Sequence, residues 1–169
     1  MSPRIKLALL FTVCAAPFVL GWLAYQWHWV PGRTGNYGAL IPPRVVAGPL
    51  EPLRGKWVLV TFDAAACDAA CERKLYVVRQ VRRAQGKDME RIERLWIVTD
   101  AGKPRPELLA AIEGARVSAD AGMAQAFPDT AGIYLVDPIG NLMMRFPGDP
   151  DPSQVIKDLQ RLLKYSGTG

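Results

Sequence analysis

Cys67-Asp68-Ala69-Ala70-Cys71 is the stretch of this 169-residue sequence in which two reactive side chains stand at a chemically useful spacing. Residues four apart share one face of a helix, and the first turn of a helix carries N–H groups with no partner of their own. A thiol placed there is stabilised as the thiolate by the helix dipole, which makes it a better metal ligand and a better redox nucleophile. The charge on Asp68 opposes that stabilisation. Two thiolates within reach of each other suit soft Cu(I) or Zn, or close reversibly as a disulfide. A permanent structural disulfide is the plainer alternative, although a loop this short gains little from closure. The third cysteine, Cys14, lies in an apolar run and behaves as a small hydrophobe. No nucleophile beside a general base and no phosphate loop accompanies the pair, which leaves a hydrolase or a kinase without residues to work with.

Those thiols need a strand to deliver them and a helix to hold them, and the neighbouring sequence supplies both. Residues 56–62 (KWVLVTF) are a short apolar, β-branched run after Gly55, the pattern of a buried strand. From Ala70 onward Cys71, Leu75, Val78 and Val81 recur at spacings of three and four until Gly86 stops the pattern, which predicts a helix. A strand over 94–99 (RLWIVT), a helix near 106–113 closed by Gly114, and a short strand at 116–118 follow. The runs 133–136 and 142–146, joined by Asp137-Pro138-Ile139-Gly140-Asn141, predict a hairpin. Val155, Ile156, Leu159, Leu162 and Leu163 form the stripe of a last helix over 152–165. The order β-α-β-α-β-β-α is that of an α/β domain whose mixed sheet, part parallel and part antiparallel, is flanked by helices: a thioredoxin-like fold.

A length of 169 residues with 50% hydrophobic content fits one domain of ordinary size plus an appendage, and three Cys are too few for a disulfide-stapled miniprotein. A formal net charge of +5 without a dense Lys/Arg tract speaks against nucleic acid and suits an anionic membrane or an acidic partner. No Asp, Glu, Lys or Arg occurs over 7–30, a run long enough to cross a bilayer. Arg4 and Lys6 precede it, so the positive-inside rule keeps the N-terminus in the cytoplasm and exports the rest. Trp22, Tyr25, Trp27 and Trp29 crowd the far end like the aromatic belt of an uncleaved anchor, whereas a cleaved signal peptide would want a better small-x-small site. Residues 1–30 therefore read as N-terminus and transmembrane anchor of a single-pass protein of the inner (cytoplasmic) membrane, with the C-terminal domain in the periplasm. Residues 31–52, with five Pro and four Gly and no period, predict a semi-extended tether. Residues 53–169 are the thioredoxin-like domain.

Gly55-Lys56-Trp57-Val58-Leu59-Val60-Thr61-Phe62, then Cys67-x-x-x-Cys71-x-x-x-Leu75, and later Tyr134-Leu135-Val136-Asp137-Pro138-x-Gly140 together resemble the Sco/SenC family of membrane-anchored copper proteins for cytochrome c oxidase assembly. The resemblance spans residues 53–165 and rests jointly on the single span, the CxxxC spacing where thioredoxins carry CxxC, and the YLVDP hairpin. It implies a thioredoxin fold, copper held by two Cys and one His, and a role in metallating the binuclear copper centre of oxidase subunit II or reducing its thiols. Cys67 and Cys71 are then the two Cys metal ligands and equally the catalytic redox pair. A copper chaperone would pass Cu(I) to subunit II or another oxidase assembly factor by ligand exchange. A thiol–disulfide oxidoreductase would attack a partner disulfide with Cys67, expected to be the more exposed, and resolve it with Cys71. A general oxidoreductase of the cell envelope, or a non-catalytic scaffold with a structural disulfide, are the remaining alternatives.

The sequence departs from the family at the third ligand. A family His lies a few residues before the YLVDP-like strand, and here that stretch is Phe127-Pro128-Asp129-Thr130-Ala131-Gly132-Ile133. The single imidazole, His28, falls in the aromatic belt and reads as an interfacial polar residue. Asp129 stands near the lost position, but a hard carboxylate binds Cu(I) poorly. On a strand Met143 and Met144 point to opposite faces and read as packing, with Met123 as a third-ligand candidate. Arg73, Lys74, Arg79, Arg82 and Arg83 make the first helix basic, either as a solvated face or as a dock for an acidic copper domain or c-type cytochrome. Asp63 and Asp137, near strand ends, read as turn residues or as carboxylates that tune the thiols.

Overall fold

A strand with apolar residues on both faces belongs in a sheet covered on both sides, and residues 57–63, buried from Trp57 to Phe62, occupy that place. The structure, a computed structural model, describes residues 2–27 and 35–167. The chain divides between Gly35 and Asn36 into two units. The first holds α1 (Pro3–Gln26), long and apolar enough to cross a membrane. Its 24 residues rise through about 36 Å against a hydrocarbon core of about 30 Å. None of them is buried, and Trp22, Tyr25 and Trp27 stand exposed at its far end. His28 and Trp29 lie outside the described residues.

The second unit carries β1 (Ala39–Val45), β2 (Trp57–Asp63), β3 (Ile92–Val98), β4 (Arg116–Ser118), β5 (Ile133–Val136) and β6 (Asn141–Phe146) in one sheet, ordered β1-β6-β5-β2-β3-β4. β2, β3 and β4 run parallel, and β5, β6 and β1 complete an antiparallel half. Three helices follow in chain order: α2 (Ala69–Arg83), α3 (Pro106–Ile112) and α4 (Pro152–Tyr165). Successive residues of β2 serve opposite layers, as the pleat requires. Trp57 and Leu59 pack with Val78 and Val81 of α2 and Val155, Leu159 and Leu163 of α4. On the other face Val58, Val60 and Phe62 pack with Leu95 and Ile97 of β3 and are covered by two 3-10 turns, Gly48–Leu53 and Ala121–Ala126. Phe62, Phe127 and Tyr134 meet edge to face there, with ring centroids 4.7 to 6.1 Å apart.

The expected elements are all present, with ends displaced by a residue or two, and one strand was not expected. Residues 31–52 were read as a tether, yet Ala39–Val45 pairs with β6 as the edge of the sheet. Pro42 and Pro43 hide this strand in the sequence. They are tolerated because an edge strand leaves one row of N–H groups unpaired, and the register slips between Leu40 and Arg44, where they sit. Gly38 leads into β1 so closely over β6 that a Cβ there would lie 2.4 Å from the Met144 sulfur. A second correction concerns Met143 and Met144. The register of β5 and β6 shifts so that Val136 pairs with Leu142 and Leu135 with Met144, which makes Met143 the extra residue of a bulge. Met144 is buried in the helix-covered layer, and Met143 packs against that same layer half-buried.

Candidate functional site

β2 ends at Asp63, and the five residues after it turn the chain into α2. Cys67 donates its N–H to Ala64 O at 3.0 Å and takes a left-handed conformation, φ 44°, which costs a residue bearing a Cβ roughly 1–3 kcal/mol. Asp68 is the N-cap of α2, and its carboxylate accepts from the N–H groups of Ala70 and Cys71 at 3.0 and 2.9 Å. Cys67 thus stands just outside the helix and Cys71 in its first turn. The two sulfurs are joined as a disulfide, with Cα atoms 5.2 Å apart.

This geometry changes the electrostatic expectation. The N–H groups that were to stabilise a thiolate already serve Asp68. Its carboxyl is held below the usual carboxylate range, first by the Cys71 N–H, against an opposing effect of desolvation, with the Ala70 N–H adding to the lowering. An ionised Asp68 at the helix N-terminus therefore offsets the dipole beside the pair.

Neither cysteine is exposed. Cys67 is 4% and Cys71 2% accessible, and both pack with Leu75, Trp96, Val98, Leu108 and Ile112. Cys67 is the more accessible of the two by a narrow margin, yet neither sulfur is open to a partner, because the connection from β3 to α3 folds across the cysteine loop. Asp100 Oδ1 accepts from Ala65 N at 3.0 Å, a Cβ on Gly102 would lie 2.7 Å from that of Ala65, and Arg105 donates to Cys67 O at 3.3 Å while pairing with Glu72. Asp100 and Arg105 were not singled out in the sequence. Their signal is positional: loops at the carboxyl ends of parallel strands gather at one edge of an α/β sheet, where sites form.

The basic helix is also corrected. Lys74 is buried, 3.0 Å from Asp63 Oδ2 and 3.3 Å from Oδ1. Arg79 bonds Ala111 O and pairs with Glu113, Arg82 bonds Ile92 O, and Arg83 pairs with Glu113. Four of the five cations thus have partners within the fold, Arg83 while still exposed, and Arg73 is the exposed member of the set nearest the cysteine loop. It lines two open depressions that flank the start of α2. One, of about 440 Å³, lies toward α3 with Glu72, Tyr76 and Leu108. The other, of about 450 Å³, is lined by Asp63, Ala64, Lys74, Thr99 and Thr130.

Burial pushes the Asp63 carboxyl above its ordinary value, and the Lys74 ammonium reduces that effect without cancelling it. A carboxyl whose pKa rises on folding gives its full contribution below the unfolded value of about 3.9 and loses it as pH rises through the folded value. Asp63→Asn cannot ionise. The gap between urea midpoints of the unmodified protein and this variant is therefore expected to move in the variant's favour from about pH 3 to about pH 7. A gap constant over that range would contradict the assignment.

The third-ligand candidates among the described residues do not converge on the sulfurs. Thr130 and Ala131 reach the rim of the second depression, so the stretch that lacks the His does approach the cysteine loop. Asp129 itself is occupied elsewhere: its carboxylate binds Arg145 Nε at 2.8 Å and the N–H groups of Ala131 and Gly132 at 2.9 and 3.1 Å. Burial raises its pKa, and Arg145 with those N–H groups outweighs the rise and holds it low. Met123 is buried in the opposite layer with Leu95, Ile97 and Phe127. Asp137 braces the hairpin by accepting from Ile139 and Asn141 N–H groups, at the end of the sheet away from the cysteines. His28 lies outside the described residues. Among the described residues, no three His, Cys, Asp or Glu side chains come together as a metal site.

Comparison with known proteins agrees with this architecture. A family model described as the transmembrane-like, thioredoxin-like, C-terminal domain matches residues 57–166. No curated protein sequence matches significantly. Among solved structures, Bradyrhizobium japonicum ScoI with copper bound is similar at 23% identity and a TM-score of 0.53, over 73% of this chain and 98% of that one. Apo Sco1 from Thermus thermophilus is similar at 20% identity and a TM-score of 0.60, over 75% and 96%. BsSco, a member of the Sco family of cytochrome c oxidase assembly proteins in which a disulfide switch was identified, is similar at 12% identity and a TM-score of 0.51, over 78% and 97%. At these identities the likeness is one of fold, and at that level the resemblance seen in the sequence is borne out.

Proposed function

The chain is a member of the family of transmembrane-like, thioredoxin-like C-terminal domains, and from that premise we propose that it acts as a Sco-like factor in cytochrome c oxidase assembly. Cys67 and Cys71 are the working residues. The observation that carries this reading is their disulfide, placed at the carboxyl end of a central strand and the start of a helix. A disulfide accepts two electrons and two protons from a pair of donor thiols and becomes two thiols. The reduced pair offers two soft donors within one helical turn, a set that suits Cu(I) better than a hard cation. Copper here is cargo, taken up by the thiolates and passed by ligand exchange to thiolates of a client such as oxidase subunit II. No imidazole is among the described residues, and two thiolates alone favour Cu(I) over Cu(II).

The same disulfide supports a second reading, in which the pair exchanges electrons with client cysteines and carries no metal. Burial of both sulfurs makes release of the Asp100 and Arg105 contacts a step in either mechanism. Arg4 and Lys6 before α1 support an N-terminus in the cytoplasm and a domain on the periplasmic side of the inner membrane. Residues 36–52 of the stretch read as a tether belong to the folded unit.

Cells producing the chain with Cys67→Ser and Cys71→Ser together are expected to show membrane oxidase activity as low as cells lacking the protein. Restoration by added copper marks delivery, and restoration by an added thiol reductant alone marks the redox reading. Undiminished oxidase activity would show that the disulfide is only a staple.

A further inference from the structure

The end of the domain opposite the cysteines carries an apolar face that the copper or redox chemistry does not use. There the hairpin tip and the last turn of α4 enclose a groove of about 480 Å³, lined among others by Trp57, Ile139, Met143, Leu162 and Tyr165. Ile139 is 64% exposed and Tyr165 78%, and Val45, paired with Asn141 at the same end of the sheet, is 68% exposed. Trp57 is buried, and its indole N–H has no partner among the described residues. Arg161 lines the groove, Lys164 Nζ lies 5.7 Å from the centre of the Tyr165 ring, and Lys157 continues this exposed row one turn earlier along α4, so positive charge stands beside the apolar face.

Two observations say what covers it. The chain enters the domain along α4 in the order Asn36 on Arg161, then Gly38 N–H on Asp158, and so arrives from the C-terminal end of the helix, where the groove lies. From Trp27 to Asn36 the chain spans at most about 30 Å even when fully extended. A surface of this composition, aromatic and aliphatic with flanking Lys and Arg, is the kind that settles among headgroups and glycerol esters. We propose that this end of the domain docks on the anionic lipid surface of the membrane that holds α1, with Ile139, Val45 and Tyr165 in the headgroup layer and Lys157 and Lys164 on lipid phosphates. The proposal rests on α1 being an anchor. Its consequence is orientation: β2 runs from Trp57 at the lipid to Asp63 beside the cysteine loop, so the disulfide is presented about 20 Å out from the bilayer, toward a partner.

The test uses the full chain with Cys14→Ser and Ile139→Cys, nitroxide-labelled with the Cys67–Cys71 disulfide intact, in nanodiscs of phosphatidylcholine with or without phosphatidylglycerol. A matched label at Glu107→Cys, on the exposed start of α3, is the aqueous reference. The label at 139 is expected to collide several-fold less often with a water-soluble nickel chelate than the label at 107, and more so with phosphatidylglycerol present. Lys157→Glu with Lys164→Glu is expected to remove the difference. Equal collision rates at both positions in nanodisc-bound chains would overturn the docking while leaving the anchor intact. A label at 139 shielded by a second chain, seen as a short distance between spins, would overturn it in favour of a dimer. A chain that does not stay with the nanodiscs would overturn the anchor and the docking with it.

Discussion

Truncating Trp96 to alanine is expected to cost about 3–5 kcal/mol of folding stability and to speed reduction of the Cys67–Cys71 disulfide. Trp96 is the largest fully buried side chain, sits mid-strand in β3 opposite Thr61, and packs in one cluster with both cysteines, Leu75, Leu108 and Ile112. A domain has only about 5–15 kcal/mol of net stability, so the urea midpoint should fall far. The cavity would lie directly under the disulfide, and the openings that admit an external thiol should become easier. Trp96→Phe separates volume from polarity. The indole N–H has no partner among the described residues, so the phenyl ring gives up volume without breaking a hydrogen bond and should lose less than half as much. Urea midpoints and rates of reduction by excess dithiothreitol check both variants; an unchanged midpoint for Trp96→Ala would contradict the packing described here.

The core was legible because its strands and helices obey single periods. KWVLVTF is apolar on both sides and lies at the centre of the sheet, and the α4 stripe from Val155 to Leu163 meets the layer formed by Trp57 and Leu59. β1 was not legible, since Pro42 and Pro43 read as a tether and only pairing with β6 shows that an edge strand tolerates them. The cysteine pair and its place at the start of α2 could be read from spacing, but the left-handed Cys67 and the burial of both residues could not. The burial involves a loop more than thirty residues away, which reaches the cysteine loop through Asp100 and Arg105. Lys74 looked like one more surface cation, and its burial follows from Asp63 waiting at the end of β2. Asp129 is an acid near the place of the missing His in sequence, and in space it belongs to Arg145. Charged residues reveal their roles through partners distant in the chain, which local pattern does not contain.

Two buried cysteines with no third ligand converging on them among the described residues leave one question above the others, whether the reduced pair takes copper. The measurement is a titration of the folded unit from Asn36 onward with Cu(I), reduced and under anaerobic conditions, against a competing chelator, with Cys67→Ser alongside. The expected result is one Cu(I) bound per chain, with the substituted protein losing the competition altogether. A reduced domain that takes no Cu(I), or a Cys67→Ser variant that binds as tightly as the unmodified protein, would contradict a copper site at Cys67 and Cys71.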